Sequence, residues 1–299
     1  MPHHLLTGTI VIETLLSTKL YIPPQRPDIV SRPRLVEKLL KLIKNPGSFG
    51  LVSSPAGSGK TVLLSEFASN LQIPIAWVSL DETDNDPVRF WRYLVAACQT
   101  VCPDVGASIQ EILQSPQPMP AETIAAMMIN DLAGLSTEFV LVLDDYHVIE
   151  NQVIHQACLH LLEYIPAQVH LVISTRVDPP WPLARFRASN KLIEIRMQDM
   201  RFTTEEAASF LNQLMGLNLT PGDIAAVENR TEGWIAGMQL AALSMQGRGD
   251  TAKFIEDFAG SHVYVAEYLI EEVLNRQPQE IQEFLLKTSV LENLNAELC

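Results

Sequence analysis

Basic residues are scarce in this chain. Its 299 residues include 21 Lys and Arg against 35 Asp and Glu, a formal net charge of −14. Phosphate contacts to a nucleic acid need a basic patch, so these residues are not expected to read DNA. Cysteine is sparse too. Cys98, Cys102, Cys158 and Cys299 lack metal-ligand spacing, and Cys98 and Cys102, one helical turn apart, read as core thiols. That usage fits a reducing cytoplasm. No apolar run approaches the ~20 residues of a membrane helix. The fairly apolar first sixteen residues carry no Lys or Arg and are broken by Thr7, Gly8, Thr9 and Glu13. They are therefore expected to be neither a secretory signal nor a span, but an extension, packed or partly disordered. His3 and His4 read as terminal residues, not ligands. With 47% hydrophobic and 19% charged residues, and no repeat or low-complexity tract, the chain reads as globular.

What is present is an alternation. Strand patterns at Phe49–Ser53, Ile73–Leu80, Glu138–His147, 167–176 and 191–196 are separated by stretches with helical spacing. Several strands are near-continuous apolar runs, which predicts a parallel sheet covered by helices on both faces. A proline-dense lead-in, Tyr21–Pro33, precedes the first helix. After about residue 200 the strand signal stops, and a Thr203–Glu206 capping box opens a helical region.

The stretch "SPAGSGKT", Ser54 to Thr61, lies between the first strand and an apolar helix. It matches the phosphate-loop pattern with Ser54 in place of the first glycine. Small residues let the backbone curl so that the N–H groups of Pro55–Val62, Pro55 itself excepted, can converge on one anion. This assigns Ala56, Gly57, Ser58 and Gly59 to the cradle, together with Pro55 and Val62 at its edges. The following helix aims its positive dipole end at the same point. Lys60 is expected to reach the β- and γ-phosphates, and the Thr61 hydroxyl to ligate Mg²⁺.

"VLVLDD", Val140 to Asp145, is the apolar strand ending in acids that accompanies such a loop. Asp144 is the candidate metal residue and Asp145 the candidate general base. Arg176 ends the next strand, where a cation can distinguish ATP from ADP. Arg185 and Arg187 read as a solvated helix face from which one side chain can approach the phosphates. Trp234, at the start of an amphipathic helix, reads either as a core anchor or as a wall for a nucleobase.

Seven ordered segments carry a resemblance: "LSTKLYIPPQRPDIVSRPRLVEKL", "SPAGSGKT", "WVSLDETDNDPVRFWRYLVAA", "LVLDDYH", "ISTRVDPPWPLARFRA", "RFTTEEAASFL" and "TEGWIAGMQLAALS". From about residue 16 onward the chain resembles the MalT-like and large ATP-binding LuxR-type regulators, which are STAND-class signal-transduction ATPases. The resemblance implies an α/β phosphate-loop domain at residues 19–200 behind the extension at 1–18. It also implies a helical domain at 201–250 and the start of a winged-helix domain, cut short, at 251–299. By resemblance, "IVSRPRLVEKL" places Ile29, Val30 and Arg32 near the adenine. The family implies ADP in a closed form, and ATP with an inducer in a self-associated form. It also implies DNA contact only through a domain absent from this chain, and a slow Mg²⁺-dependent hydrolysis. A small-acceptor kinase is the competing reading, although residues 201–299 read as packed apolar helices and not as a basic lid.

Overall fold

Five apolar runs become five strands of one parallel sheet. The computed structural model describes residues 14–25, 28–115, 120–246, 254–255 and 263–289. Expectations for residues 1–13, for 116–119 and for Cys299 lie outside the described residues. The strands are β1 (Phe49–Ser53), β2 (Ile75–Ser79), β3 (Phe139–Asp144), β4 (Val169–Thr175) and β5 (Leu192–Arg196). Their spatial order is β2-β3-β4-β1-β5, and every neighbouring pair is parallel. Every residue of β1, β3 and β4 is buried, which is why their sequences do not alternate.

Parallel strands need crossovers, and helices supply them. On one face pack α1 (Pro33–Leu40) and α2 (Lys60–Ser69); on the other, α3 (Pro87–Gln99), α4 (Ala107–Leu113), α5 (Ala121–Ala133), α6 (Gln152–Glu163) and α7 (Leu183–Ala188). Successive strand residues serve opposite faces. Val140 and Val142 join Leu39, Leu63 and Phe67, whereas Phe139, Leu141 and Leu143 join Trp91, Met128 and Leu161. Local sequence sets the helix starts. Asp86 accepts from Arg89 N and precedes Pro87, and Asn151 accepts from Val153 N at the start of α6; each such cap is worth about 1 kcal/mol.

A short turn of helix, α8 (Met197–Met200), leads out of the sheet into α9 (Thr204–Ala208), α10 (Pro221–Thr231) and α11 (Ile235–Met245). The Thr203–Glu206 capping box is present. Instead of one continuous helix, α9 passes into a π-helical stretch, Ser209–Leu214. The remaining described helices are α12 (Val263–Glu272) and α13 (Gln279–Thr288). Phe254, Ile255 and Val265 share a core with Phe202, Phe210, Val227 and Met238, so packing continues across residue 250. No helix among the described residues is long and apolar enough to cross a membrane.

Candidate functional site

The strand order brings three chain segments to one edge. β4 lies between β1 and β3, with Ser53 beside Thr175 and Leu143 beside Ile173. The loop after β1, the acids after β3 and the arginine after β4 therefore emerge side by side at the carboxyl ends of the strands, where open α/β sheets bind ligands.

The loop is held by its own side chains. Lys60 Nζ donates to Ser54 O at 2.9 Å and Pro55 O at 3.1 Å. The Ser54 and Ser58 hydroxyls contact each other. Buried Ser54 thus fills the place of the pattern's first glycine with a side chain that braces the loop. Gly57 and Gly59 take left-handed φ values of 70° and 83°, which L side chains adopt only at a cost. Gly59 directly precedes the first residue of α2, so the loop's amides and the helix dipole are aimed together.

Asp144 is almost wholly buried. One carboxylate oxygen accepts from Thr61 Oγ1 at 2.9 Å. The other accepts from the Ser174 hydroxyl and from Asp145 N at 3.1 Å. Burial raises its pKa, and the neighbouring Asp145 raises it further. A hydroxyl and a buried carboxylate at hydrogen-bond distance are a donor set suited to a hard divalent cation. Asp145 has φ 59° and a half-exposed side chain, with His147 Nδ1 3.6 Å from its carboxylate. Asp145, His147 and Arg176 line a cavity of about 370 Å³ with Asp81 and Thr83. Burial depresses the Lys60 pKa; Asp145 opposes that shift, Arg176 adds to it and Asp144 opposes it. The four charged groups therefore share one electrostatic site.

Arg176 does not stand free at the end of β4. Its Nη1 donates to Glu272 O at 3.1 Å and its Nη2 to Glu272 Oε2 at 3.2 Å. Arg185 and Arg187 lie away from the loop. Arg185 pairs with Glu163, and Arg187 grips Glu194 with two bonds of 2.7 Å.

A second cavity, about 160 Å³, adjoins the loop on the side of the lead-in. Ile29, Val30 and Arg32 line it with Gly59 and Val62 of the loop, Phe202 and Phe210, and Ile235 and Gln239 of α11. Buried Glu66 pins the lead-in here, accepting from Ser31 Oγ at 2.5 Å and from Arg32 N at 2.9 Å. Arg32 reaches across to Met200 O at 2.6 Å and lies over the Phe202 ring at 5.3 Å. Burial lowers its pKa to about 10, and its Nε and Nη1 have no hydrogen-bond partner. Trp234 sits against the loop and packs on the helical core. Its Nε1 donates to Ala56 O at 3.0 Å, which turns the indole into a different, apolar cavity with Pro55, Met197 and Met200. Ile235 and Gln239 face the lead-in instead. Glu66, Ser174, Phe202, Phe210 and Gln239 are the site-lining or site-bracing residues that sequence reasoning missed. An acid inside the apolar stripe of α2 was the one local signal among them.

Comparison with known proteins bears on the likeness of the whole chain and on its fold. Residues 270–299 match the MalT winged helix domain family. The chain is 34% identical over 286 residues to the HTH-type transcriptional regulator MalT of Yersinia enterocolitica, covering 95% of this chain. The same figures describe the match to the MalT regulator of Cronobacter sakazakii. This chain is MalT-like. It spans about 31% of the length of these relatives. Among solved structures, a Walker-type ATPase of Pyrococcus abyssi superposes with TM-score 0.52 at 14% identity, covering 89% of this chain and 78% of that one. The MalT-like chain thus has the phosphate-loop ATPase fold, a parallel sheet covered by helices, followed by a helical region and the start of a winged helix.

Proposed function

We propose that the MalT-like chain is the nucleotide-binding module of a STAND-class transcriptional regulator of the LuxR type, acting in the cytoplasm. It binds ADP or ATP with Mg²⁺ and uses the bound nucleotide to set the arrangement of its helical parts and the self-association of the regulator. The observation that carries this reading is the pairing of the Ser54–Thr61 loop with a cavity walled by both the lead-in and the helical region. A loop alone can hold only phosphates; a base needs walls from elsewhere, and Ile29, Val30, Phe210 and Ile235 supply apolar ones.

The residues divide the work by chemistry. The amides of Ala56–Thr61 and the Lys60 ammonium neutralise the β- and γ-phosphates. Thr61 and Asp144 hold Mg²⁺, which supplies charge neutralisation of the phosphate oxygens. Asp145 orients and deprotonates the attacking water. Arg176 stabilises charge on the terminal phosphate when it turns toward it. DNA reading belongs to a part of the regulator outside these residues, a reading that the net charge of −14 supports. Calorimetric titration of Mg·ADP into the parent and Lys60→Ala tests the reading. The parent is expected to bind, and the variant to lose at least tenfold in affinity, the loss of a charge-assisted bond. ADP affinity within twofold in the two proteins overturns it.

A further inference from the structure

The apolar cavity beside Trp234 has a volume of about 270 Å³, and the nucleotide chemistry described above makes no use of it. Pro55 and Ala56 of the phosphate loop line it, but Lys60, Thr61, Asp144 and Asp145 do not. It is therefore distinct from the place of the phosphates and the metal. Met197 and Met200 of α8 line it too, with Leu269 of α12 and Val273 just beyond that helix. Met197, Leu269 and Val273 are 42%, 38% and 37% exposed. The cavity thus has an apolar mouth through which a small molecule can enter from solvent.

The polar side chains of the wall are spent, with one exception. The Ser58 hydroxyl donates to Pro55 O at 2.9 Å, and Trp234 Nε1 donates to Ala56 O at 3.0 Å. An ordered water needs two to four polar partners, so a wall of this kind favours an apolar occupant. The indole is also held in place, edge-on to Tyr268 at 5.5 Å between ring centroids, which leaves a fixed aromatic surface for a ligand ring. The exception is Arg201, the one charged residue that lines the cavity. Its Nη2 donates to Glu232 Oε2 at 2.7 Å, but its Nε is buried with no hydrogen-bond partner. Its carbonyl accepts from Arg34 Nη2 at 2.8 Å, which anchors the backbone from which this guanidinium projects. A buried cationic donor left unpaired is completed best by an anionic acceptor.

We propose that this cavity is a second small-molecule site, for an aromatic carboxylic acid, with the ring system against Trp234 and the two methionines and the carboxylate on Arg201. Size sets the ring count. An apolar cavity of about 150 Å³ suits benzene, and this one is nearly twice as large, which matches two fused rings. Methionine side chains adapt to flat ligands of differing outline, so Met197 and Met200 admit a class of such acids and not one shape alone. The Arg201 side chain is 40% exposed, so its charge adds about three- to tenfold to the affinity of the acid over a neutral molecule of the same shape. The inference does not rest on the nucleotide reading, because it uses none of the residues assigned to the phosphates, the metal or the base except Pro55, Ala56, Ser58, Trp234 and Ile235, which serve here as wall.

The test uses the whole 299-residue chain and two probes of one shape, 2-naphthoate and the neutral 2-naphthamide, each titrated calorimetrically into the parent and Arg201→Gln. For a ligand of this size the parent is expected to bind naphthoate with a Kd between about 20 μM and 1 mM. Naphthamide is expected to bind about three- to tenfold more weakly. In Arg201→Gln the two affinities are expected to fall within about twofold of each other, with naphthamide binding kept as evidence that the site is still folded. Methyl-labelled methionine locates the probe. On addition of naphthoate the Met197 and Met200 signals are expected to move. Met215, which lines the lead-in cavity, and Met128, in the core on the other face of the sheet, are expected to stay in place. The site is overturned by any of three results: no saturable binding at millimolar probe, a preference for naphthoate that Arg201→Gln leaves unchanged, or Met197 and Met200 signals that do not move. Movement of Met215 in their place assigns the probe to the lead-in cavity and overturns the site equally.

Discussion

Gly57 is where the phosphate loop meets the helical region most closely, and Gly57→Ala measures that contact. Its φ of 70° makes any L side chain strained there, a cost of roughly 1–2 kcal/mol. The added methyl also has no room. It would stand 2.5 Å from the Ala236 methyl and 2.7 Å from the Tyr268 hydroxyl, with Trp234 Nε1 at 3.2 Å. Ala236 cannot retreat alone, because its N–H donates to Gly57 O at 3.0 Å. Overpacking of this kind costs a further ~1–3 kcal/mol. Gly47 provides the matched control. Its φ is 75°, and nothing lies within 4 Å of an added Cβ, so Gly47→Ala carries the backbone cost without the clash. Urea unfolding followed by circular dichroism is expected to show Gly57→Ala less stable than Gly47→Ala by roughly 1–3 kcal/mol. Limited proteolysis is expected to cut the link near Asp199–Thr204 faster in Gly57→Ala than in Gly47→Ala. Equal stability and equal cleavage in the two variants would refute the close packing of α11 and α12 on the loop.

Asp145→Asn keeps the shape of the side chain and removes the base, so Mg·ATP binding is expected to persist while phosphate release slows by about 10²-fold or more; release at the parent rate contradicts the role given to Asp145. Glu194 is pulled from its ordinary 4.5 to about 2, first by its hydrogen bonds from Arg187 and then by Arg196. A carboxylate depressed on folding contributes stability that is fully present above about pH 4.5 and lost as pH falls through about 2. Glu194→Gln should therefore cost roughly 1 kcal/mol at pH 7, discounted for its solvated partners, with the difference from the parent shrinking toward pH 2; a pH-independent difference would show that packing, not charge, is responsible. Incubated with promoter DNA at near-physiological salt, the chain should produce no mobility shift, because its acidity opposes the phosphate backbone; a sequence-dependent shift contradicts the assignment of DNA reading to residues outside this chain.

The elements that were legible in the sequence are those whose signals are local. The five strands lie inside the apolar runs that announced them. The phosphate loop, Asp144 at the end of β3 and the Thr203–Glu206 box stand where residue type and spacing put them. Helix α4 was missed because its seven residues include one buried apolar side chain, Ile109, too few for a periodicity. The π-helical Ser209–Leu214 carries the residue types of an ordinary helix, so nothing local marks the change. Partners across the fold were not legible. That Ser174 would serve Asp144 depends on β4 entering the sheet beside β3. That Arg176 would find Glu272 depends on a helix 96 positions later in the chain. Which cavity each residue at the start of α11 faces was not legible either, because it depends on the register of one helix turn: the Trp234 indole turns to a loop carbonyl, and the next residue, Ile235, faces the lead-in cavity.

The central claim is that one nucleotide is held by the phosphate loop, the lead-in and the helical region together. Hydrogen exchange read by mass spectrometry, with Mg·ADP compared against Mg-pyrophosphate on the same chain, tests it most directly. The account predicts that pyrophosphate slows exchange in the Ser54–Val62 loop alone. ADP should slow it there, in residues 28–32 and at the start of α11 around Ile235–Gln239. ADP protection confined to the phosphate loop would contradict the account.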